Sequence, residues 1–154
     1  MKNFQEQYAI YSDGEKRVDE LYHRLAMQMG ISDSILSTLY CLSDPDIPHT
    51  QNSIAIKMGV PKQTINSAIN RLLNDGYIYL EQMAVARNNK QILLTEQGME
   101  FCRKYIAPII DAEMRAFNRL SEEEQEIYLS LGIKHNRFLM AEFQELLEAL
   151  RRAN

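Results

Sequence analysis

The sequence predicts a mainly α-helical fold that contains one small β-hairpin. Apolar residues recur three or four positions apart through most of the 154 residues, which is the spacing of one helix face. The period changes only between residues 77 and 95, where two short β-rich runs enclose an Asn-Asn pair suited to a tight turn. Four of the six glycines, Gly30, Gly59, Gly76 and Gly98, fall at or near the boundaries drawn from this periodicity, which supports the division.

The composition is that of a folded protein, because 45% of the residues are hydrophobic. No apolar run approaches the roughly 20 residues that span a bilayer, and the first residues lack the apolar core of a signal peptide. We therefore expect a cytoplasmic protein without a membrane partner. Cys41 and Cys102 lie far apart and have no clustered histidines, so we expect two buried free thiols, no metal site and no cofactor.

No catalytic motif is present in the sequence. It contains no G-x-S-x-G, HExxH, phosphate-binding loop, GxGxxG or paired Cys/His arrangement. We therefore expect a protein that acts by binding and is not an enzyme.

The charge is unevenly distributed along the chain. The formal net charge is −4, which by itself argues against a nucleic-acid partner. Residues 50–92, however, contain five basic and two acidic side chains, so that this middle segment is mildly positive and the remainder strongly acidic. Such a distribution is compatible with one DNA-facing segment between acidic arms.

Two amphipathic helices are expected before the middle segment. A capping-box pattern at residues 12–15 begins the first, which ends at Gly30. Residues 1–11 carry no firm start or stop signal and are interpreted as a short helix or an arm. Ser32 is expected to cap the second helix, which ends before the turn-rich segment 43–48.

The middle segment predicts a helix-turn-helix. Thr50 is expected to cap a short third helix that ends at Gly59, and a fourth helix, 62–74, begins shortly afterwards. One side of the fourth helix is apolar, whereas its other faces carry amides and hydroxyls and almost no carboxylates before Asp75. Asn and Gln side chains can pair with adenine, and Arg or Lys with guanine or phosphate, so this face is suited to DNA.

The hairpin after residue 76 completes a winged helix-turn-helix. Its runs at 77–82 and 91–95 form the wing, whose tip would lie against the DNA backbone or minor groove. The residues predicted to contact DNA are Thr50, Gln51, Lys62, Gln63, Thr64, Asn66, Ser67, Asn70, Arg71, Arg87, Asn88 and Lys90.

Helical spacing returns after Thr95 and predicts two further helices. Pro108 should kink the first of them or relax its hydrogen bonding, and a capping box at 121–124 begins the last, which Gly132 could bend. The terminal helices carry more apolar surface than a small core can cover, so we expect a homodimer. The predicted division is 1–30 for dimerisation, 31–98 for DNA binding and 99–154 for dimerisation.

Four segments in this order, with long helices around them, resemble the multiple antibiotic resistance regulator (MarR) family of bacterial transcription factors. They are residues 50–55, 58–65, 72–78 and the Leu-Thr-x-x-Gly segment 94–98. The resemblance implies a homodimeric regulator, more often a repressor, that binds a pseudo-palindromic operator.

The family is also known for a small-molecule pocket between the dimer helices and the DNA-binding lobe. The residues that the resemblance suggests for a possible effector pocket are Tyr22, His23, Tyr40, Cys41 and Tyr105. A stripe of Met and Tyr at helical spacing is also what an ordinary core contains, so both interpretations stay open.

The sequence departs from the family pattern at the wing and on the fourth helix. Ala86 stands where the family usually has Asp, although Arg87 matches the Arg that follows it. Ser67 stands where Arg is frequent, and Leu80 and Glu81 where basic residues are frequent. These departures predict weaker, more salt-sensitive binding with an Asn-rich readout that favours A·T pairs. They also leave open an alternative, a winged-helix interaction module that has lost DNA binding.

Overall fold

Helices make up most of the structure, and one antiparallel hairpin interrupts them, as the sequence predicts. The structure, a computed structural model, describes residues 3–44, 46–83 and 90–153. The elements are α1 (Phe4–Gln28), α2 (Asp33–Leu42), α3 (Gln51–Met58), α4 (Lys62–Asn74), β1 (Ile78–Gln82), β2 (Lys90–Leu94), α5 (Glu96–Phe101), a π-helical segment (Cys102–Ile106), α6 (Ala107–Phe117) and α7 (Glu122–Ala153). They divide into two compact units, Met1–Ile109 and Ile110–Asn154.

The first helix is longer than the sequence predicts. It begins at Phe4, because the side chain of Asn3 accepts a hydrogen bond from the Gln5 amide at 3.2 Å and caps it there. The predicted start at residues 12–15 is therefore wrong, and those residues lie inside the helix. The apolar positions Tyr8 and Tyr11 continue the stripe at helical spacing, so the earlier cap adds two turns at little cost.

The core of the first unit lies where α2, α3 and α4 pack together. The apolar stripe of α4 is buried in it, as are the inner positions of α2. Burying one Leu or Ile side chain contributes about 1.5–3 kcal/mol, so the stripe is enough to hold α4 while its polar face stays outside. The fully buried side chains include Leu39, Ile54, Ile65, Leu72 and Ile106.

Local capping determines where these helices begin and end. Ser32 accepts from the Ile35 amide at 3.3 Å. Thr50 and Ser53 form a reciprocal capping box: Ser53 N–H donates to Thr50 Oγ1 at 3.1 Å, and Thr50 N–H donates to Ser53 Oγ at 2.8 Å. Gly59 ends α3 with a φ of 63°, a left-handed conformation that a side chain would oppose. The predicted caps at Ser32, Thr50 and Gly59 are confirmed.

The hairpin is tied to the rest of the unit at its base. Ile78 is paired with Leu94, and both strands lie within one residue of their predicted bounds. The amide of Ile92 donates to the carbonyl of His49 at 2.8 Å, so the segment before α3 extends the sheet by one contact. Ile78 and Ile92 are buried against the core, which fixes one face of the hairpin.

Gly98 permits the closest backbone approach in the unit. A Cβ at this position would overlap the carbonyl oxygen of Tyr77 and would lie 3.2 Å from a methyl group of Leu94. The amide of Thr95 also donates to the Tyr77 carbonyl, at 3.0 Å. The Leu-Thr-x-x-Gly segment therefore brings the start of α5 directly against the residue that joins α4 to the wing.

Pro108 relaxes the helix that contains it, as predicted. Because proline has no N–H, it cannot donate to the carbonyl of Lys104 four residues earlier. The preceding turn is π-helical, and the amide of Ala107 donates to the Cys102 carbonyl five residues back. The chain continues from this segment directly into α6.

The second unit consists of the end of α6 and the long helix α7. Ser121 and Glu124 form the predicted capping box, with hydrogen bonds of 2.8 and 3.3 Å between side chain and amide. α7 is 32 residues long and continues through Gly132. None of the residues described in α7 is buried within this single chain, although many of them are large and apolar.

The environment of Gly98 leads to a prediction about stability. Replacing Gly98 with Ala should lower the free energy of unfolding by about 2 kcal/mol, because the new methyl group meets a backbone carbonyl that cannot rotate away. Urea unfolding followed by circular dichroism measures this change.

A matched control is available in the second unit. Gly132 lies inside α7, and apart from its chain neighbours and the backbone of its own helix no described atom lies within 4 Å of the point that a Cβ there would occupy. Gly132→Ala should therefore raise stability by up to about 1 kcal/mol. Equal stability of Gly98→Ala and the unaltered protein would contradict the proposed close approach.

Candidate nucleic-acid interface

α4 has two sharply different faces. Its buried face is Ile65, Ala68, Ile69 and Leu72. Seven of the residues predicted to contact DNA lie exposed on the remaining surface of this one helix, and none of them carries a carboxylate. They are Lys62, Gln63, Thr64, Asn66, Ser67, Asn70 and Arg71. The predicted two-faced helix is therefore present in the structure.

The N-terminal end of α4 has no side-chain cap. Pro61 stands at the capping position with a φ of −56° and a ψ of 139°, and its carbonyl accepts from the Thr64 amide at 2.9 Å. Without a side-chain cap, the partial positive charge of the helix N-terminus is left uncompensated, and the Lys62 ammonium adds to it. Phosphate groups are the anions that such an end attracts.

Thr50 and Gln51 lie at the start of α3. The hydroxyl of Thr50 accepts within the capping box described above, so one of its functions is structural. The side-chain amide of Gln51 donates to the carbonyl of Lys62 at 3.3 Å, which joins the first turns of α3 and α4. Gln51 therefore braces α3 against α4, whereas Thr50 caps the start of α3.

Two polar side chains of α4 have partners within the helix. Arg71 Nε donates to Asp75 Oδ2 at 2.7 Å, although 68% of the Arg71 side chain is exposed. Ser67 Oγ donates its proton to the Gln63 carbonyl at 3.1 Å. The hydroxyl oxygen can therefore still accept a hydrogen bond. The Asp75 carboxylate therefore competes with a DNA phosphate for the Arg71 guanidinium.

Only one of the three predicted wing residues falls within the described part of the chain. Lys90 begins β2, is exposed, and is paired with Gln82 in the register of the hairpin. Arg87 and Asn88, as well as Ala86, lie outside the described residues. Their assignment to the wing tip stays a prediction from the sequence.

The residues suggested for the effector pocket have separate surroundings. His23 is exposed, and its Nδ1 lies 3.0 Å from both carboxylate oxygens of Asp33. Cys41 is buried with its sulfur 3.4 Å from that of Met58. Tyr105 is half-buried, and its ring lies 4.7 Å from that of Phe101, while Tyr22 and Tyr40 are also half-buried.

A cavity of about 480 Å³ lies elsewhere in the first unit. It is bounded by the end of α2 and the following loop, by both strands of the hairpin, and by the α5 and π-helical segments. Its lining includes apolar groups such as Leu42, Ile92 and Met99, together with the charged residues Asp44 and Arg103. None of the five residues suggested from the sequence lines it, so their role as a pocket stays a prediction.

Burial raises the pKa of both cysteines. For Cys41, removal from water is the largest cause, the ammonium of Lys57 opposes it, and the carboxylate of Asp44 adds to it. For Cys102, burial again raises the pKa, and a hydrogen bond involving Ser43 partly offsets the rise. Both side chains therefore favour the neutral thiol, which is the unreactive form.

Metal-ligating clusters and membrane-spanning helices are both absent from the described part of the chain. In that part, no group of three or more His, Cys, Asp or Glu side chains is placed to hold a metal ion. Among the helices described, none is both long and apolar enough to cross a membrane.

Comparison with solved structures identifies the fold. No protein-family model matches the sequence, and no curated protein sequence matches it significantly. A MarR family regulator from Neisseria meningitidis superposes with a TM-score of 0.74 at 16% identity, covering 90% of this chain and 97% of that one. AbsC, a MarR family transcriptional regulator from Streptomyces coelicolor, gives a TM-score of 0.71 at 19% identity, covering 90% and 95%.

A structure that contains DNA is also similar. S. aureus MepR in its DNA complex gives a TM-score of 0.68 at 22% identity, covering 89% of this chain and 96% of that one. At these identities the comparisons establish the architecture. The chain has the winged-helix fold of the MarR family regulators.

The surroundings of the cysteines lead to a prediction about reactivity. In the folded protein, near neutral pH, both thiols should react with a disulfide reagent at least about 100-fold more slowly than in denaturant, because they are buried and favour the protonated form. The single variants Cys41→Ser and Cys102→Ser assign each phase of the reaction. A fast phase of one full equivalent in the folded protein would contradict the buried placement.

Proposed function

We propose that this chain is a sequence-specific DNA-binding transcriptional regulator of the MarR type, acting in the cytoplasm as a homodimeric repressor of a pseudo-palindromic operator. The observation that carries the proposal is α4, a helix held by its apolar stripe with its carboxylate-free amide and hydroxyl face exposed. The fold shared with S. aureus MepR, solved as a DNA complex, supports the proposal.

The amide side chains of α4 are the proposed readers of sequence. Gln63, Asn66 and Asn70 lie exposed along the helix, and an amide can pair bidentately with the N6 and N7 of adenine. Lys62 and the uncapped first turn are the proposed phosphate contacts, which fix the helix in the major groove. We expect half-sites that favour A·T pairs and a binding constant that depends strongly on salt.

Exposed apolar surface supports association with a second copy. Phe4, Tyr8, Tyr11, Val18 and Leu25 on α1 are spaced by three, four or a multiple of seven residues and are at least 40% exposed in the single chain. α7 exposes a larger set of leucine, isoleucine and phenylalanine side chains. Soluble monomers rarely leave so much continuous apolar surface in water, so we propose that α1 and α7 form the dimer.

The cavity supports control by a small molecule. Its volume of about 480 Å³ lies within the range of ligand pockets, and its lining combines apolar walls with one acidic and one basic side chain. It is formed partly by the wing and partly by α5, so a ligand that prefers one arrangement of these elements would shift the population of DNA-binding dimers. We propose this cavity, in place of the five residues suggested from the sequence, as the effector site.

The first test concerns the readers. Gln63→Ala should weaken binding to the DNA upstream of the protein's own gene by about tenfold, because one bidentate base contact is worth about 1–3 kcal/mol. Fluorescence anisotropy at two salt concentrations measures the change. Gln144→Ala is the matched control, since Gln144 is an exposed glutamine outside α4. Because it lies on α7, a proposed dimer helix, analytical ultracentrifugation should show the same assembly for this variant as for the unaltered protein.

Two results would contradict the proposal. An absence of binding at low salt would favour the alternative, a winged-helix interaction module that has lost DNA binding. The net charge of −4 is compatible with that alternative. Equal losses for Gln63→Ala and Gln144→Ala would mean that α4 does not read the bases.

A second prediction concerns the ion pair on α4. Asp75→Asn should release Arg71 for a phosphate, so that non-specific DNA binding tightens and the salt slope steepens by about one contact, or roughly 0.9. The cost in stability should stay below about 1 kcal/mol because the pair is largely exposed. A titration of binding against salt concentration measures the slope, and adding Arg71→Ala to Asp75→Asn should remove the increase. An unchanged slope in both variants would exclude Arg71 from the interface.

A further inference from the structure

We propose that Thr95 is a positioning residue for α4, the proposed recognition helix, and that sequence discrimination depends on its hydroxyl group. The claim about sequence discrimination rests on the proposed function, whereas the claim that Thr95 positions α4 does not. Thr95 lies at the junction of the wing and α5 and would not itself touch DNA. It is not among the residues that the sequence suggests for binding.

The hydroxyl of Thr95 uses both of its hydrogen-bonding capacities. Its proton is donated to the carbonyl of Gly76 at 2.6 Å, and its oxygen accepts from the amide of Gly98 at 3.1 Å. The backbone amide of Thr95 donates to the Tyr77 carbonyl at 3.0 Å. One residue therefore joins the end of α4, the start of β1 and the first turn of α5.

The carbonyl that Thr95 holds belongs to the turn that ends α4. Gly76 has a φ of 77° and follows Asp75, the C-terminal cap of the helix. Gln97 Nε2 lies 3.5 Å from the Asp75 carbonyl, so a second donor from the same segment points at this turn. Asn70 and Arg71, two exposed residues that are predicted to contact DNA, lie within two turns of this anchored end.

The identity of the side chain supports the inference. Capping the N-terminus of α5 alone requires only an acceptor, which Ser, Thr, Asp and Asn all supply. Donating to Gly76 at the same time requires a hydroxyl, which only Ser and Thr offer in this geometry. Thr95 therefore does more than begin a helix, because it also holds the end of α4 in place. A helix that tilts at one end moves its reading face relative to the bases while its phosphate contacts can adjust.

Hydrogen exchange in the free protein tests the structural part. Thr95→Val keeps the shape of the side chain and removes both hydroxyl bonds. It should speed exchange of the amides at residues 73–78 by about tenfold, whereas Thr95→Ser should leave them within about twofold of the unaltered protein. Ser32→Ala is the matched control, because it removes a helix cap in the same unit without touching α4. Unchanged exchange in Thr95→Val, or equal effects of Val and Ser, would overturn the inference.

DNA binding tests the consequence. Thr95→Val should weaken binding to the selected site by about tenfold and change binding to unrelated duplex by less than about twofold, so the specificity ratio falls. Ser32→Ala should leave this ratio unchanged despite its own loss of stability. Proportionate losses on both kinds of DNA would overturn the specificity claim. If the unaltered protein shows no sequence preference, the proposed function fails, and the exchange experiment decides the structural part alone.

Discussion

The first unit depends on the close approach of Gly98 to the carbonyl of Tyr77. Because Gly98 has no Cβ, the start of α5 can lie against the residue that follows α4, and the hydroxyl of Thr95 then reaches Gly76. This contact fixes the end of α4, the base of the wing and the direction of α5 together. Because that end of the helix is held, the exposed face of α4 would present its amides in a single orientation.

Local signals account for the parts of the fold that could be predicted. Ser32, Thr50 and Gly59 determine their helix ends through bonds and dihedral angles that involve only near neighbours, so the sequence contains the information. The predicted start of α1 is wrong, because a capping-box pattern at residues 12–15 competes with Asn3 and only the continuous stripe favours the longer helix. The effect of Pro108 is predictable, since a missing N–H relaxes any helix.

The part of the candidate site that lies on a single helix, α4, can be predicted from the sequence. The polar face of α4 follows from periodicity. The Arg71–Asp75 pair has the i, i+4 spacing that permits an ion pair, but spacing alone does not show that the pair forms. The cavity was not predictable, because its walls come from the loop after α2, the hairpin and the α5 segment, which are distant in sequence. The double use of the Thr95 hydroxyl is likewise a contact between residues 19 positions apart.

The central claim is that the exposed face of α4 reads base sequence. Selection of binding sites from random duplex DNA by the purified protein tests it most directly. We expect enrichment of a pseudo-palindrome with A·T-rich half-sites about one helical turn, ~34 Å, apart. Selection that enriches no sequence at low salt, or that returns G·C-rich half-sites, would contradict it.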